Sequence, residues 1–247
     1  MNASVDSVFP EKYRILSGSA LKMIAIITML IDHIGAVILS MYPPAQKVLF
    51  TLLGREYSVY LIFRDIGRAA FPIFCFLLVE GFVHTHDVKK YVRRLFLFAL
   101  ISEVPFDLAF FRTPFALDHQ NVYWTLALGV LAMAGLKHFE KPDGSASWKG
   151  LLCAAGCTLA ALLACTDYDG SGVLIICALY LTRGDRKRQC IVGALLFLFE
   201  LTAPLAFVLV WFYNGQRGAC SPLQKKAFYW FYPVHLSVLA AVTNLIL

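Results

Sequence analysis

Apolar residues run through this chain in long blocks broken by short polar punctuation. The blocks cover 19–41, 57–83, 93–111, 121–138, 149–166, 171–182, 189–213 and 226–247. A bilayer core of about 30 Å is crossed by roughly 20 apolar residues in a helix, so most blocks are long enough to span. The block at 171–182 is short for a crossing and is a candidate broken or re-entrant segment. Open sheet edges are excluded in lipid and the runs are far longer than barrel strands, so the blocks predict helices. The punctuation, "KPDGSAS" (141–147) and "CTDYDGSG" (165–172), is turn chemistry. The pattern therefore predicts an all-α polytopic transmembrane bundle of roughly eight spanning helices, forming one unit over 1–247.

Composition agrees with that pattern. The 247 residues are 59% hydrophobic and 15% charged, against about half and about a quarter in soluble domains. The first block follows the polar residues Asp6, Glu11, Lys12 and Arg14 and has no small-residue cleavage pattern, so it reads as a retained helix. Seven cysteines are scattered among apolar residues without a CxxC, as small membrane-core residues are, and no metal site is expected. There is no internal repeat.

Lysine and arginine set the expected orientation. With a cytoplasmic amino terminus, fourteen fall inside: Lys12, Arg14, Lys22, Lys89, Lys90, Arg93, Arg94, Lys137, Lys141, Lys149, Arg183, Arg186, Lys187 and Arg188. Eight fall outside: Lys47, Arg55, Arg64, Arg68, Arg112, Arg217, Lys225 and Lys226. The bias predicts a multi-pass cell-membrane protein with its amino terminus in the cytoplasm. Splitting 189–213 into two crossings would move the tail to the other side. The net charge of +6 mostly reflects these loops and implies no nucleic-acid partner.

The polar residues inside the apolar blocks carry the candidate chemistry. A charged side chain at the centre of a membrane helix costs roughly 2.5–3.5 kcal/mol on insertion scales, so such groups face a protein interior or a wet cavity. "IITMLIDHIGAVIL" sets Asp32 beside His33, with Thr28 on the Asp32 face and the small Gly35 and Ala36 after them. "GRAAFPIFCFLLVEGFVHTHD" carries Arg68 at one end, then Pro72, and then Glu80 and His84 one turn apart. Pro72 removes one backbone bond. Arg68 could also snorkel, Glu80 could pair with a cation such as Arg94, and His84 and His86 could be surface histidines.

"RRLFLFALISEVPFDLAFF" puts Glu103 and Asp107 on one face around Pro105; Asp107, near the outer boundary, reads as facing water. In "NVYWTLALG", Asn121 is either a helix cap or a substrate contact, and Tyr123 and Trp124 read as interfacial aromatics. "FYWFYPVHLSV" carries His235 about two turns into the last block. By topology Asp32, His33, Arg68, Glu103, Asn121 and His235 fall in the outer half, whereas Glu80, His84, Lys89, Lys90, Arg93 and Arg94 fall toward the cytoplasm. The two zones predict a passage from a basic mouth to an acid/base cluster.

Several strings resemble the TraX family, membrane acetyltransferases named for the F-pilin acetylase of conjugation systems. They are "LKMIAIITMLIDHIGA" (21–36), "IGRAAFPIFCFLLVEGFVHT" (66–85), "KKYVRRLFLFALISEVPFDLAF" (89–110), "NVYWTLALG" (121–129), "DYDGSGVLII" (167–176) and "FYPVHL" (231–236). Together they run in order from Leu21 to His235, with weaker likeness in 140–165 and 185–225. The resemblance implies transfer of an acetyl group from acetyl-CoA to an acceptor, in the named member the amino-terminal amine of pilin. An amine or hydroxyl of a glycan or small molecule is also compatible with the sequence.

On that reading Lys89, Lys90, Arg93 and Arg94 are expected to bind the CoA phosphates while the pantetheine arm reaches inward. His33 is the expected base, oriented by Asp32 or by Glu103. Arg68 or Asn121 is expected to stabilise the oxyanion. His235 is a second candidate base, or the nucleophile of an acetyl-histidine intermediate. A proton-coupled transporter using Asp32, Glu80, Glu103 and the histidines as a relay is the alternative, weakened by the absent repeat. A purely structural scaffold leaves the buried charges without a purpose.

Overall fold

The computed structural model describes residues 13–246, so the polar segment with Asp6, Glu11 and Lys12 lies outside the described residues. The described chain is mostly helical: α1 (Gly18–His33), α2 (Val59–Gly67), α3 (Ala70–Val83), α4 (Val88–Phe110), α5 (Val122–His138), α6 (Trp148–Leu163), α7 (Asp169–Leu181), α8 (Arg186–Leu196), α9 (Ala206–Trp211) and α10 (Pro222–Ile246). The helices start where the polar punctuation supplies caps. Ser17, Ser58, Asp87, Asn121, Ser147 and Asp185 each accept a backbone N–H of the first turn of the helix that follows. Two stretches, Gly18–Met41 and Val59–Val83, are long and apolar enough to cross a membrane.

Three local features depart from plain helices. Directly after His33 the chain widens into a π-helical turn, Ile34–Ile38, before a 3₁₀ turn at Leu39–Met41. Such turns are rare and collect at functional sites. Between α1 and α2 a hairpin pairs Phe50–Leu52 with Arg55–Tyr57. Its turn residues Leu53 and Gly54 both take positive φ, 51° and 80°, as a tight two-residue turn requires. The block at 57–83 is interrupted at Arg68 and Ala69, and Pro72 sits in the first turn of α3, where its missing N–H breaks no helical bond.

Contacts fix the course of the bundle between two ends. At one end the start of α1 meets residues 213–217, with Gly18 N donating to Gln216 O (2.8 Å) and Ser19 N to Arg217 O (2.9 Å). The same end holds Lys137 over the Phe82 ring, the Arg183–Glu140 pair (3.0 Å) and Arg186 over Phe76 and Tyr213. At the other end Gln120 pairs with Thr166, and Arg68 pairs with Glu200. The helices α1, α4 and α10 therefore run in the same direction.

This course corrects the expected path of 189–213. It is two short helices, α8 and α9, joined by a turn at 197–202 that carries Glu200 to Arg68. The chain therefore returns, and Arg217, Lys225 and Lys226 lie at the same end as Lys22 and Arg94. Among the described residues the basic end has sixteen lysines and arginines, against five (Lys47, Arg55, Arg64, Arg68 and Arg112) at the other. Two of the helices are short: α7 has 13 residues and α8 has 11 residues. At the helical rise they extend only about 20 Å and about 16 Å.

The core is large and apolar, with Leu21, Ile73, Phe76, Phe82, Met133, Ile176, Leu179 and Leu236 buried where α1, α3, α5, α7 and α10 meet. The outside is also apolar. Leu97 and Leu100 of α4, Leu152, Leu159 and Leu163 of α6, Ile191 and Leu195 of α8 and Val234 and Val238 of α10 are exposed. Contiguous apolar surface on this scale marks contact with something other than water.

Candidate active site

The helices close around a cavity of about 590 Å³ at the end away from the basic loops. Its polar lining comes from Asp32 and His33 of α1, Arg64 and Arg68 around the α2–α3 break, Asp118 and His119 before α5, and Asp167 and Tyr168 before α7. Phe71, Phe74, Phe106, Phe110 and Tyr232 supply apolar walls.

In its wall, His33 Nδ1 lies 2.7 Å from His235 Nε2. The rings are nearly coplanar, 8° apart with centroids separated by 4.9 Å. That separation matches two ring radii plus the hydrogen bond, so the rings meet edge to edge. The tautomers follow from the partners. His235 Nδ1 is 2.7 Å from Phe231 O. A carbonyl oxygen only accepts, so this nitrogen donates. One hydrogen lies between the two rings; with His235 neutral, its Nε2 accepts and His33 Nδ1 donates. His33 Nε2 then carries a lone pair and is the ring's available base. Phe110 and Tyr232 pack edge-on against His33.

Neither carboxylate expected to orient His33 does so. Asp32 Oδ2 accepts from Arg64 Nη1 at 2.6 Å, and the side chain fits against α2 only because Gly67 has no Cβ, which would overlap Asp32. Glu103 Oε2 accepts from Asn121 Nδ2 and from Trp124 Nε1, both at 2.6 Å. Asn121 also donates to Ala99 O and caps α5 through Oδ1, so its amide is fully used inside the bundle and does not line the cavity. Trp124 is thereby a bundle brace. Asp107 is buried, accepting from Ala116 N at 2.9 Å to fix the loop before α5, and does not face water.

Arg68 does line the cavity, with Nη1 2.9 Å from Glu200 Oε1. Each arginine commits one Nη to its carboxylate and keeps further N–H donors of its five. Glu80 and His84 are elsewhere: Glu80 faces Arg186 at 3.7 Å at the basic end, and exposed His84 donates to Glu80 O at the end of α3. Lys89, Lys90 and Arg93 are exposed on the first turns of α4 and line no part of the cavity.

Five further polar groups line the cavity beyond the expected ones: Arg64, Asp118, His119, Asp167 and Tyr168. Arg64 stands one turn before Arg68 in "RDIGR", a spacing that places both on one face. Tyr168 takes a left-handed backbone with φ 63°, uncommon for a bulky residue. It stacks on Phe71 at 3.6 Å. In the loops, His119 Nε2 lies 3.6 Å from Asp167 Oδ1, and this carboxylate is the main cause holding the His119 pKa above its ordinary value. No local pattern announces Tyr168 or the His119–Asp167 pair.

A family model described as TraX protein matches residues 17–243, a range that includes the whole cavity. The chain belongs to the TraX family. A similar protein is the probable fimbrial assembly protein FimC, serogroup H1, of Dichelobacter nodosus, 31% identical over 252 residues that cover 91% of this chain and 95% of that protein. No solved structure matches the chain. In this TraX family member the segments around Asp32 and His33, Arg68, Asp167 and His235 lie within the matched range, and each contributes to the same cavity.

Proposed function

We propose that the chain is an integral-membrane acetyltransferase that moves an acetyl group from acetyl-CoA, as co-substrate, to an amine or hydroxyl acceptor. The observation that carries the proposal is the His33–His235 pair, which leaves His33 Nε2 as a base in a cavity that also presents two arginines. In the reaction an uncharged amine or a hydroxyl attacks the thioester carbonyl. The acceptor's proton passes to His33 Nε2 as the new C–N or C–O bond forms. Free N–H groups of Arg64 and Arg68 stabilise the oxyanion. The thioester C–S bond then breaks and the same proton leaves on the CoA sulfur. His235, fixed by Phe231 O, holds the His33 tautomer and supports its charged form through the shared hydrogen bond. His235 is thus a positioning residue, and transfer is direct.

The setting is a single polytopic bundle in the cell membrane. The exposed leucines and isoleucines face lipid, and the basic end, with the amino terminus, faces the cytoplasm by the charge bias. The pair α8 and α9 enters as a re-entrant hairpin whose irregular turn is sheltered by protein. The acceptor is the amino terminus of a pilin peptide, a glycan or a small molecule, and the fimbrial-assembly name of the D. nodosus relative makes a pilin peptide the first to try. The test is purified protein with labelled acetyl-CoA and a panel of peptide amines and hydroxyls. CoA release that depends on an acceptor, with label on the acceptor, supports the proposal. No transfer to any acceptor, with no CoA bound, contradicts it.

A further inference from the structure

A second, narrower cavity of about 100 Å³ lies on the basic side of the first, and Met29, Phe74, Val122 and Tyr232 line both. Its other walls are apolar or tyrosine, including Ile26, Leu95, Leu126 and Tyr91. Its outer rim is cationic. Lys22 Nζ sits 5.0 Å from the Phe228 ring centre and 5.6 Å from that of Tyr229. The Arg94 guanidinium lies 5.0 Å from the Tyr229 ring centre and 5.9 Å from that of Tyr91. Arg217, tied to α1 by the Ser19 N to Arg217 O bond, is within electrostatic reach of Lys22. None of these three cations has a carboxylate partner among the described residues.

We infer that this narrow cavity admits the donor: the phosphates of CoA sit on Lys22, Arg94 and Arg217, and the pantetheine arm threads past Tyr229 to bring the thioester to Tyr232 beside His33. The inference rests on the acetyl-CoA reading above. The acceptor then occupies the larger cavity from the opposite end, and the two meet at the shared wall. The lengths agree. Lys22 and His33 are eleven residues apart on one helical path, about 16 Å. The arm has about a dozen chain atoms, equivalent to about four extended peptide residues or about 14 Å. Cations with no carboxylate partner among the described residues, two of them (Lys22 and Arg94) seated on rings, suit a polyphosphate. Lys89, Lys90 and Arg93, the donor site expected from the sequence, stand outside this path.

Equilibrium binding of radiolabelled CoA to the full-length protein in detergent tests the assignment. Lys22→Gln and Arg94→Gln are each expected to weaken binding about tenfold or more, the loss of one charge-assisted contact. Combined replacement of Lys89, Lys90 and Arg93 by Gln is expected to leave binding at the wild-type level. Pantetheine, which lacks the phosphates, is expected to bind the wild type and Arg94→Gln equally, as read by displacement of a spin-labelled pantetheine probe. Two results overturn the inference while sparing the acetyltransferase reading: CoA binding lost in the Lys89, Lys90 and Arg93 variant but kept in the other two, or pantetheine binding weakened in Arg94→Gln as much as CoA binding. Displacement of CoA by phosphatidylglycerol, with no displacement by pantetheine, also overturns it and marks a lipid site. A wild-type protein that binds no CoA and transfers no acetyl group overturns both.

Discussion

The two ends of the bundle hold their charges in opposite ways. At the cavity end every arginine lining the site is matched to a carboxylate: Arg64 to Asp32 and Arg68 to Glu200, with Arg55 nearby on Asp65. At the basic end cations rest on aromatic faces, as Lys22 does on Phe228, Arg94 on Tyr229 and Lys137 on Phe82. Among the described residues only Glu80 and Glu140 pair with arginines there. Pairing fixes a guanidinium in place while leaving it further N–H donors, which suits positioning around a reacting carbonyl. Seating on a ring leaves the charge available, which suits capture of an anion. On the proposed reading, the difference separates a place for chemistry from a place for binding.

The largest effects should come from the chemical end. His33→Ala is expected to lower transfer about 10²–10⁴-fold, the range for a general base, with CoA binding unchanged. A parallel loss of CoA binding would erase the distinction between the ends. Asp32→Ala strands the Arg64 charge in a largely buried site and is expected to cost about 3–5 kcal/mol of stability. Adding Arg64→Leu should recover most of that, read by thermal unfolding in detergent as a double-mutant cycle. Gly67→Ala forces a methyl group into Asp32 and should cost about 1–3 kcal/mol, less than removing the carboxylate. If Gly67→Ala is neutral, Asp32 is not held where the pair requires.

The smallest effect concerns pH. His119 gains its partner on folding, so its folded pKa is raised above the unfolded value of about 6.5. Its stabilising contribution is fully present below that unfolded value and is lost as pH rises through the raised folded value. His119→Gln should therefore flatten the fall in stability on the alkaline side of the unfolded value, and an unchanged slope would show that the pair is not formed.

How much of this was legible in the sequence depends on whether a residue's role is local. Asp32, His33, Arg68 and His235 stand out because each is polar in an apolar run; the first three line the cavity and His235 bonds to His33 behind its wall. The partners do not stand out. His33 and His235 are 202 positions apart, and nothing near either one says that the histidines bond to each other rather than to Asp32 or Glu103. Asn121 reads equally as cap or contact until Ala99 and Glu103 are seen to use up its amide. Hydrophobicity made 189–213 one crossing, because the turn at 197–202 is as apolar as the helices around it; only Arg68 reaching Glu200 shows the chain turning back. That same turn moved Arg217 to the rim beside Lys22, which the count along the sequence had put on the opposite side.

The central claim is that His33 removes the acceptor's proton during acetyl transfer. Single-turnover transfer of labelled acetyl from saturating acetyl-CoA, compared between wild type, His33→Ala and His235→Ala, tests it most directly. The expected result is a loss of about 10²–10⁴-fold in His33→Ala and a smaller loss in His235→Ala, which keeps the base but loosens its tautomer. Transfer at the wild-type rate in His33→Ala would contradict the account.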